Sequence, residues 1–108
     1  MYKIKEKYLI NFTNIQNVRE MHQIIKKEFD FPDYYGMNWD AFWDCITDLA
    51  GRNLNIEIVG LDKIYGKFSK DVDILLESLK DLKHIYNNKY ENKISIYVHH
   101  GQSVVEIN

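Results

Sequence analysis

The stretch Phe31-Pro32-Asp33-Tyr34-Tyr35-Gly36-Met37-Asn38-Trp39-Asp40-Ala41-Phe42-Trp43-Asp44-Cys45-Ile46-Thr47-Asp48-Leu49-Ala50-Gly51 sorts aromatics and carboxylates as no other part of this 108-residue chain does. It holds Asp33, Asp40, Asp44 and Asp48 and no Lys, Arg or His, so four negative charges sit here. The formal charge of the whole chain is −2, which leaves +2 for everything else. Acidity is therefore local. Pro32 disfavours a helix running into the stretch, and Tyr34-Tyr35-Gly36 reads as a loop. Asn38 is suited to cap a helix by accepting from a free N–H, Asp40 lies in the positive first turn, and Gly51 is placed for a left-handed stop. The pattern predicts a helix over 39–50.

At 100° per residue, Trp39, Phe42, Trp43, Ile46, Leu49 and Ala50 fall within an arc of about 120°, and Asp40, Asp44 and Asp48 form a separate stripe about 80° wide. Thr47 falls between Trp43 and Asp40, at the border of the two. An acidic stripe is ordinarily a solvated face, and two features set this one apart. Asp40/Asp44 and Asp44/Asp48 are like-charge pairs four apart, each costing roughly 0.2–0.5 kcal/mol, with no lysine on the helix to relieve them. Tyr34, Tyr35 and Trp43 stand beside the stripe, and Tyr and Trp are enriched at binding hot spots. Carboxylates ringed by aromatics read as a mimic of phosphate presented to a cationic protein.

The remaining chain bounds the class. Its length fits one domain over 1–108, able to bury roughly two-thirds of its unfolded surface. The single cysteine, Cys45, rules out an intramolecular disulfide, and a small packed thiol in a reduced cytoplasm fits it. No apolar run reaches the 18 or so residues of a membrane span, and the amino terminus reads as no signal peptide. The slightly negative charge gives no electrostatic reason to expect nucleic-acid binding. No cofactor is expected: the Glu-x-x-His pattern of di-metal helices is absent, no histidine falls in the acidic stretch, and the glycines are scattered. A small carboxylate- or metal-dependent hydrolase using the Asp stripe is the reading from a different class. His99-His100 reads as a strand end, and His22 as a packed structural histidine.

Secondary structure follows hydrophobic period. The run 8–12 is a strand, extended back as far as Ile4. Asn17 with Glu20 makes a capping box for a helix ending near Phe31, its apolar positions being Val18, Met21, Ile25 and Phe29. Residues 54–59 alternate as a strand ended by Gly60. Residues 61–68 hold a short helical turn broken near Gly66, followed by a long helix to about Tyr86 closed by Asn87-Asn88. Residues 93–98 form a third strand, and 104–107 are able to form a fourth by turning back through Gly101. Long helical connections between strands make crossovers, so the class is α/β: a small parallel sheet packed with helices.

The run from Phe31 to Asp48 closely resembles the signature of the barstar family, the intracellular inhibitors of barnase-type guanyl-specific ribonucleases. The likeness extends back through Lys26-Lys27-Glu28 and Met21-His22-Gln23 to the first strand. It implies a three-stranded parallel sheet with helices, and a binding surface on the second helix and the loop before it. It also implies roles: Asp44 inserted into the phosphate pocket, Asp40 a second acidic contact, Tyr34 stacked on active-site side chains, and Asn38, Trp43 and Thr47 as the surrounding shell. Asp81 on the long helix matches a further acidic contact. Departures are Asp48, where the best-known member has a small residue, Met37 in place of an acid, a longer stretch at 87–91 and the tail 102–108. The partner so implied is a basic extracellular or toxin ribonuclease. An immunity protein against a different toxin nuclease is the nearest rival.

Overall fold

Alternation in Leu54–Val59 buries Leu54, Ile56 and Ile58 on one face and leaves Asn55, Glu57 and Val59 on the other, and the sheet is built around this strand. The computed structural model describes residues 5–89 and 93–108. In chain order the elements are β1 (Tyr8–Asn11), α1 (Val18–Phe29), α2 (Trp39–Leu49), β2 (Leu54–Val59), α3 (Leu61–Lys89), β3 (Ile94–His100) and β4 (Ser103–Glu106). The sheet order is β1-β2-β3-β4. The first two pairings are parallel, with Ile10 beside Ile58 and Ile56 beside Ile96. β3 and β4 are antiparallel, with Val98 opposite Val105.

The expected three-stranded parallel sheet is present, and the fourth strand joins it over Ser103–Glu106, one residue earlier than the expected 104–107. Gly101 at φ +62° opens the two-residue hairpin turn, a conformation that other residues adopt at a cost. Both crossovers step the same way across the sheet, so right-handed connections place the helices on a single face. That face holds the core: Tyr8, Ile10, Ile56, Ile58 and Ile96 pack under Met21, Phe29, Phe42, Ile46, Leu75 and Leu79, all fully buried. The opposite face is open, with Leu9 46% exposed.

Local chemistry explains most helix ends. Asn17 accepts from the Glu20 N–H at 2.9 Å, while the Glu20 carboxylate reaches back to the Gln16 N–H rather than to Asn17. At the other end Asp30 takes a left-handed conformation, φ 56°, and Phe31 N–H donates to Lys26 O at 2.9 Å. This is a Schellman-type stop, two residues before Pro32. In α3 the break falls at Phe68, φ −126° and ψ 36°, and not at Gly66, and the helix runs on to Lys89. The proposed start of the first strand at Ile4 and residues 90 and 91 of the 87–91 stretch lie outside the described residues. Among the described residues no helix is long and apolar enough to cross a membrane.

Candidate functional site

Pro32 bends the chain away from α1, and Tyr35 N–H closes a turn onto Pro32 O at 2.9 Å. Asp33 and Tyr34 occupy the tip of that turn, and Tyr34 is 80% exposed. Asn38 then starts α2: its Oδ1 accepts from Ala41 N–H at 2.8 Å, and its Nδ2 donates to Gly36 O at 3.2 Å. One side chain thus ties loop to helix. Met37, just before the cap, is held at φ 56° in the left-handed region.

Along α2 the structure keeps the two predicted faces but rotates the buried one. Phe42, Cys45, Ile46 and Leu49 are the buried residues of the helix. On the 100° wheel their centre is rotated about 50° from that of the expected apolar arc, away from Asp40 and Trp43 and toward Asp48. Cys45 therefore packs, as a small thiol, and Trp39 and Trp43 end up half-buried at the margin. Asp40, Asp44 and Asp48 are all exposed. No ion pair among the described residues involves Asp40 or Asp44. Thr47 is half-buried, its hydroxyl 2.9 Å from the carbonyls of Trp43 and Asp44, so it is tied to its own helix. The helix closes without a left-handed glycine: Ala50 stays right-handed, its N–H 3.3 Å from Thr47 O, and Gly51 has no positive φ.

Of the sequence-predicted site residues, the structure brings together Tyr34, Asn38, Asp40, Trp43, Asp44, Thr47 and Asp48 on one helix and its entry loop. Tyr35 is placed differently. It is only 4% exposed, packs against Phe31 with ring centroids 5.2 Å apart, and meets His22 Nδ1 at 2.6 Å through its hydroxyl. The turn points Tyr34 outward and, as a consequence, its neighbour inward. Asp81 is exposed on α3, ten residues or about 15 Å along the helix from Asp71, where α2 docks.

Two supports of this surface have partners that local sequence does not announce. His22, packed as its place beside the apolar face of α1 implied and 2% exposed, lies under the loop, with its ring 4.3 Å from that of Trp39. Asp71 of α3 accepts from the Trp39 indole N–H at 2.9 Å. Both contacts join residues remote in sequence, 13 to 32 apart, so no periodicity or cap announces them. Burial pushes the His22 pKa below its ordinary value, opposed in part by the Asp71 carboxylate; burial likewise raises that of Tyr35, keeping the phenol neutral.

A pH dependence follows. In the unfolded chain His22 titrates near 6.5, and in the fold it titrates lower. Above the unfolded value both states are neutral; below it the unfolded state binds the proton more readily, so stability falls as pH drops from about 6.5 toward the folded pKa. Urea unfolding at about pH 7.5 and 5.5 is expected to show this loss in the wild type and a smaller loss in His22→Gln. Equal pH slopes in the two proteins would assign the acid sensitivity elsewhere.

The arrangement is that of an α/β protein presenting an acidic helix face, flanked by exposed or half-exposed aromatics. The chain belongs to the family described as Barstar (barnase inhibitor), whose model matches residues 6–101. It is similar to the Bacillus subtilis (strain 168) protein named "Putative ribonuclease inhibitor YrdF", 32% identical over 81 residues, 71% of this chain and 89% of that one. A Dictyostelium discoideum protein named "Probable autophagy-related protein 17" is 28% identical over 102 residues, 73% of this chain but 21% of its own length.

Proposed function

We propose that the protein is a cytoplasmic, non-enzymatic inhibitor of a barnase-like guanyl-specific ribonuclease, acting by occlusion. The observation that carries this reading is the exposed row Asp40, Asp44 and Asp48 on α2, with Tyr34 projecting from the turn before it. A ribonuclease active site attracts phosphate and so concentrates Arg, Lys and His; carboxylates fixed on a rigid helix are able to occupy the positions of phosphate oxygens. Asp44, mid-stripe, is assigned the central pocket, Asp40 and Asp48 its flanks, and Tyr34 the stacking contact. Asn38, Trp43 and Thr47 form the rim. Tyr35 acts from beneath, through His22, by holding the loop. Asp81 is assigned an outlying contact.

The direct test titrates a purified barnase-type ribonuclease against this protein and follows RNA hydrolysis. Loss of activity at one equivalent is expected; full activity in molar excess of the protein would overturn the reading. The same pair tests the electrostatic component. Unlike charges steer encounter, so the association rate constant is expected to fall steeply with added salt, whose screening length shrinks to about 3 Å at 1 M. The dissociation rate changes less. An association rate flat from low to high salt would deny the acidic row its role.

A further inference from the structure

We propose that the outer edge of β4 pairs with β4 of a second copy of this chain, antiparallel and across a twofold axis through Val105, joining two sheets into one. The hydrogen-bond phase of the hairpin leads there. Ile107 N–H donates to Ile96 O at 2.8 Å, and His100 stands opposite Ser103 and Val98 opposite Val105. Bonded pairs alternate along an antiparallel ladder, so Ser103, Val105 and Ile107 turn their backbone groups toward β3. Val104 and Glu106 turn theirs outward. Among the described residues none bonds them.

The other edge of the sheet shows the contrast. On β1 the Leu9 N–H is taken by Glu28 Oε2 at 2.9 Å, and Lys5 pairs with that carboxylate at 3.1 Å. A side chain closes that edge, whereas β4 is held in place but left uncovered. Lys83 donates to Ile107 O at 2.7 Å and sits 3.5 Å from the Glu106 carboxylate. Preorganisation of this kind lowers the ordering cost of association, and Lys83 offsets the charge that would otherwise guard the edge.

The strand is complementary to itself. With Val105 on the axis, Val104 of each copy stands opposite Glu106 of the other, and each such pair exchanges two N–H···O bonds, four in all. No like charges meet; moving the register two residues toward the carboxyl end would set Glu106 against Glu106. Val104 and Val105 are 50% and 55% exposed, one on each face of the sheet. Val105 shares its face with Val98, which lines an apolar crevice of about 460 Å³ together with Leu61, Tyr65, Val72 and Leu76. The pairing therefore covers apolar surface continuous with that crevice. A four-residue edge falls well short of the roughly 1,200 Å² of stable interfaces, so the dissociation constant is expected on the order of 0.1–1 mM.

Sedimentation equilibrium and amide spectra of the full chain up to about 1 mM test this. The expected result is a monomer–dimer equilibrium in which the Val104 and Glu106 amides shift and gain exchange protection with concentration. Val104→Pro deletes an outward N–H without touching the bonds to β3, removing two of the four new bonds and weakening dimerisation about tenfold or more. Val105→Lys sets two ammonium groups together on the axis and abolishes it. Both positions are exposed, and the amide spectrum of each variant at low concentration verifies its fold. Asp44→Ala, on another surface, leaves the dimer unchanged. A protein that stays monomeric to about 1 mM, or a dimer indifferent to both β4 variants, would overturn the proposal.

Discussion

Asp44→Ala is expected to abolish tight inhibition of the cognate ribonuclease while leaving the fold at least as stable as before. Asp44 is exposed and makes no ion pair among the described residues, and it lies between two like charges one turn away on either side. Its removal relieves two repulsions of roughly 0.2–0.5 kcal/mol each and substitutes a better helix former. The apolar face of α2, Phe42, Cys45, Ile46 and Leu49, is untouched. In the complex the balance reverses, because truncating one partner of a desolvated charge pair strands the cations opposite it. That costs roughly 2–5 kcal/mol or more, mainly in the dissociation rate. Asp48→Ala, at the far end of the row, is expected to cost binding less. Paired measurements decide it: an unfolding midpoint unchanged or raised, with an inhibition constant at least about thirtyfold weaker. Inhibition as tight as wild type, or a protein that no longer folds, would show that Asp44 is not the central contact.

The parts of this surface legible in the sequence are those set by neighbours within a turn or two. Asn38 as a cap, the exposed Asp row and the break at Pro32 each follow from local sterics or a 3.6-residue period. β4 was legible because Gly101 offers a turn just before the largely apolar run Val104-Val105-Glu106-Ile107. What local reasoning missed depends on the third dimension. Trp43, at the edge of the apolar arc nearest the acids, is half-buried as that border position implies, but Cys45, which the wheel leaves outside the arc, goes inside because of how α2 packs on the sheet. Tyr35 carries the same aromatic signal as Tyr34, and only the presence of His22 beneath the loop separates a buried support from an exposed contact. Gly51 has the composition of a left-handed stop, yet the chain continues right-handed through Ala50 and uses the glycine for nothing of the kind. The bend in α3 likewise ignores the glycine and falls at Phe68, where a half-buried ring packs against the core.

Gly60→Ala is expected to be the most damaging single-methyl change available to the fold. Gly60 ends β2 at φ +91°, a conformation that L side chains rarely adopt, and a Cβ there would lie 2.5 Å from Thr13 N and 2.8 Å from its Cα. These are backbone atoms, and they are fixed. Phe12 N–H donates to Val59 O at 2.8 Å, and the Asn11 carboxamide accepts from the Thr13 N–H at 3.0 Å and from its hydroxyl at 2.6 Å. The crossing of the β1 and β2 ends thus has no slack. Backbone strain of about 1–3 kcal/mol and overpacking of similar size combine to roughly 2–6 kcal/mol. That is a large share of the roughly 5–15 kcal/mol that holds such a domain together. Gly66→Ala is the control: nothing lies within 4 Å of its Cβ, and a helical alanine in its place should stabilise by about 0.4–1 kcal/mol. Denaturant titration should therefore move the two midpoints in opposite directions. Because Gly60 lies at the end of β2 and not on α2, whatever fraction of Gly60→Ala remains folded should still inhibit one equivalent of ribonuclease. A Gly60→Ala midpoint within error of wild type would mean that Thr13 has room to retreat, and that the β1–β2 ends are not pinned as described.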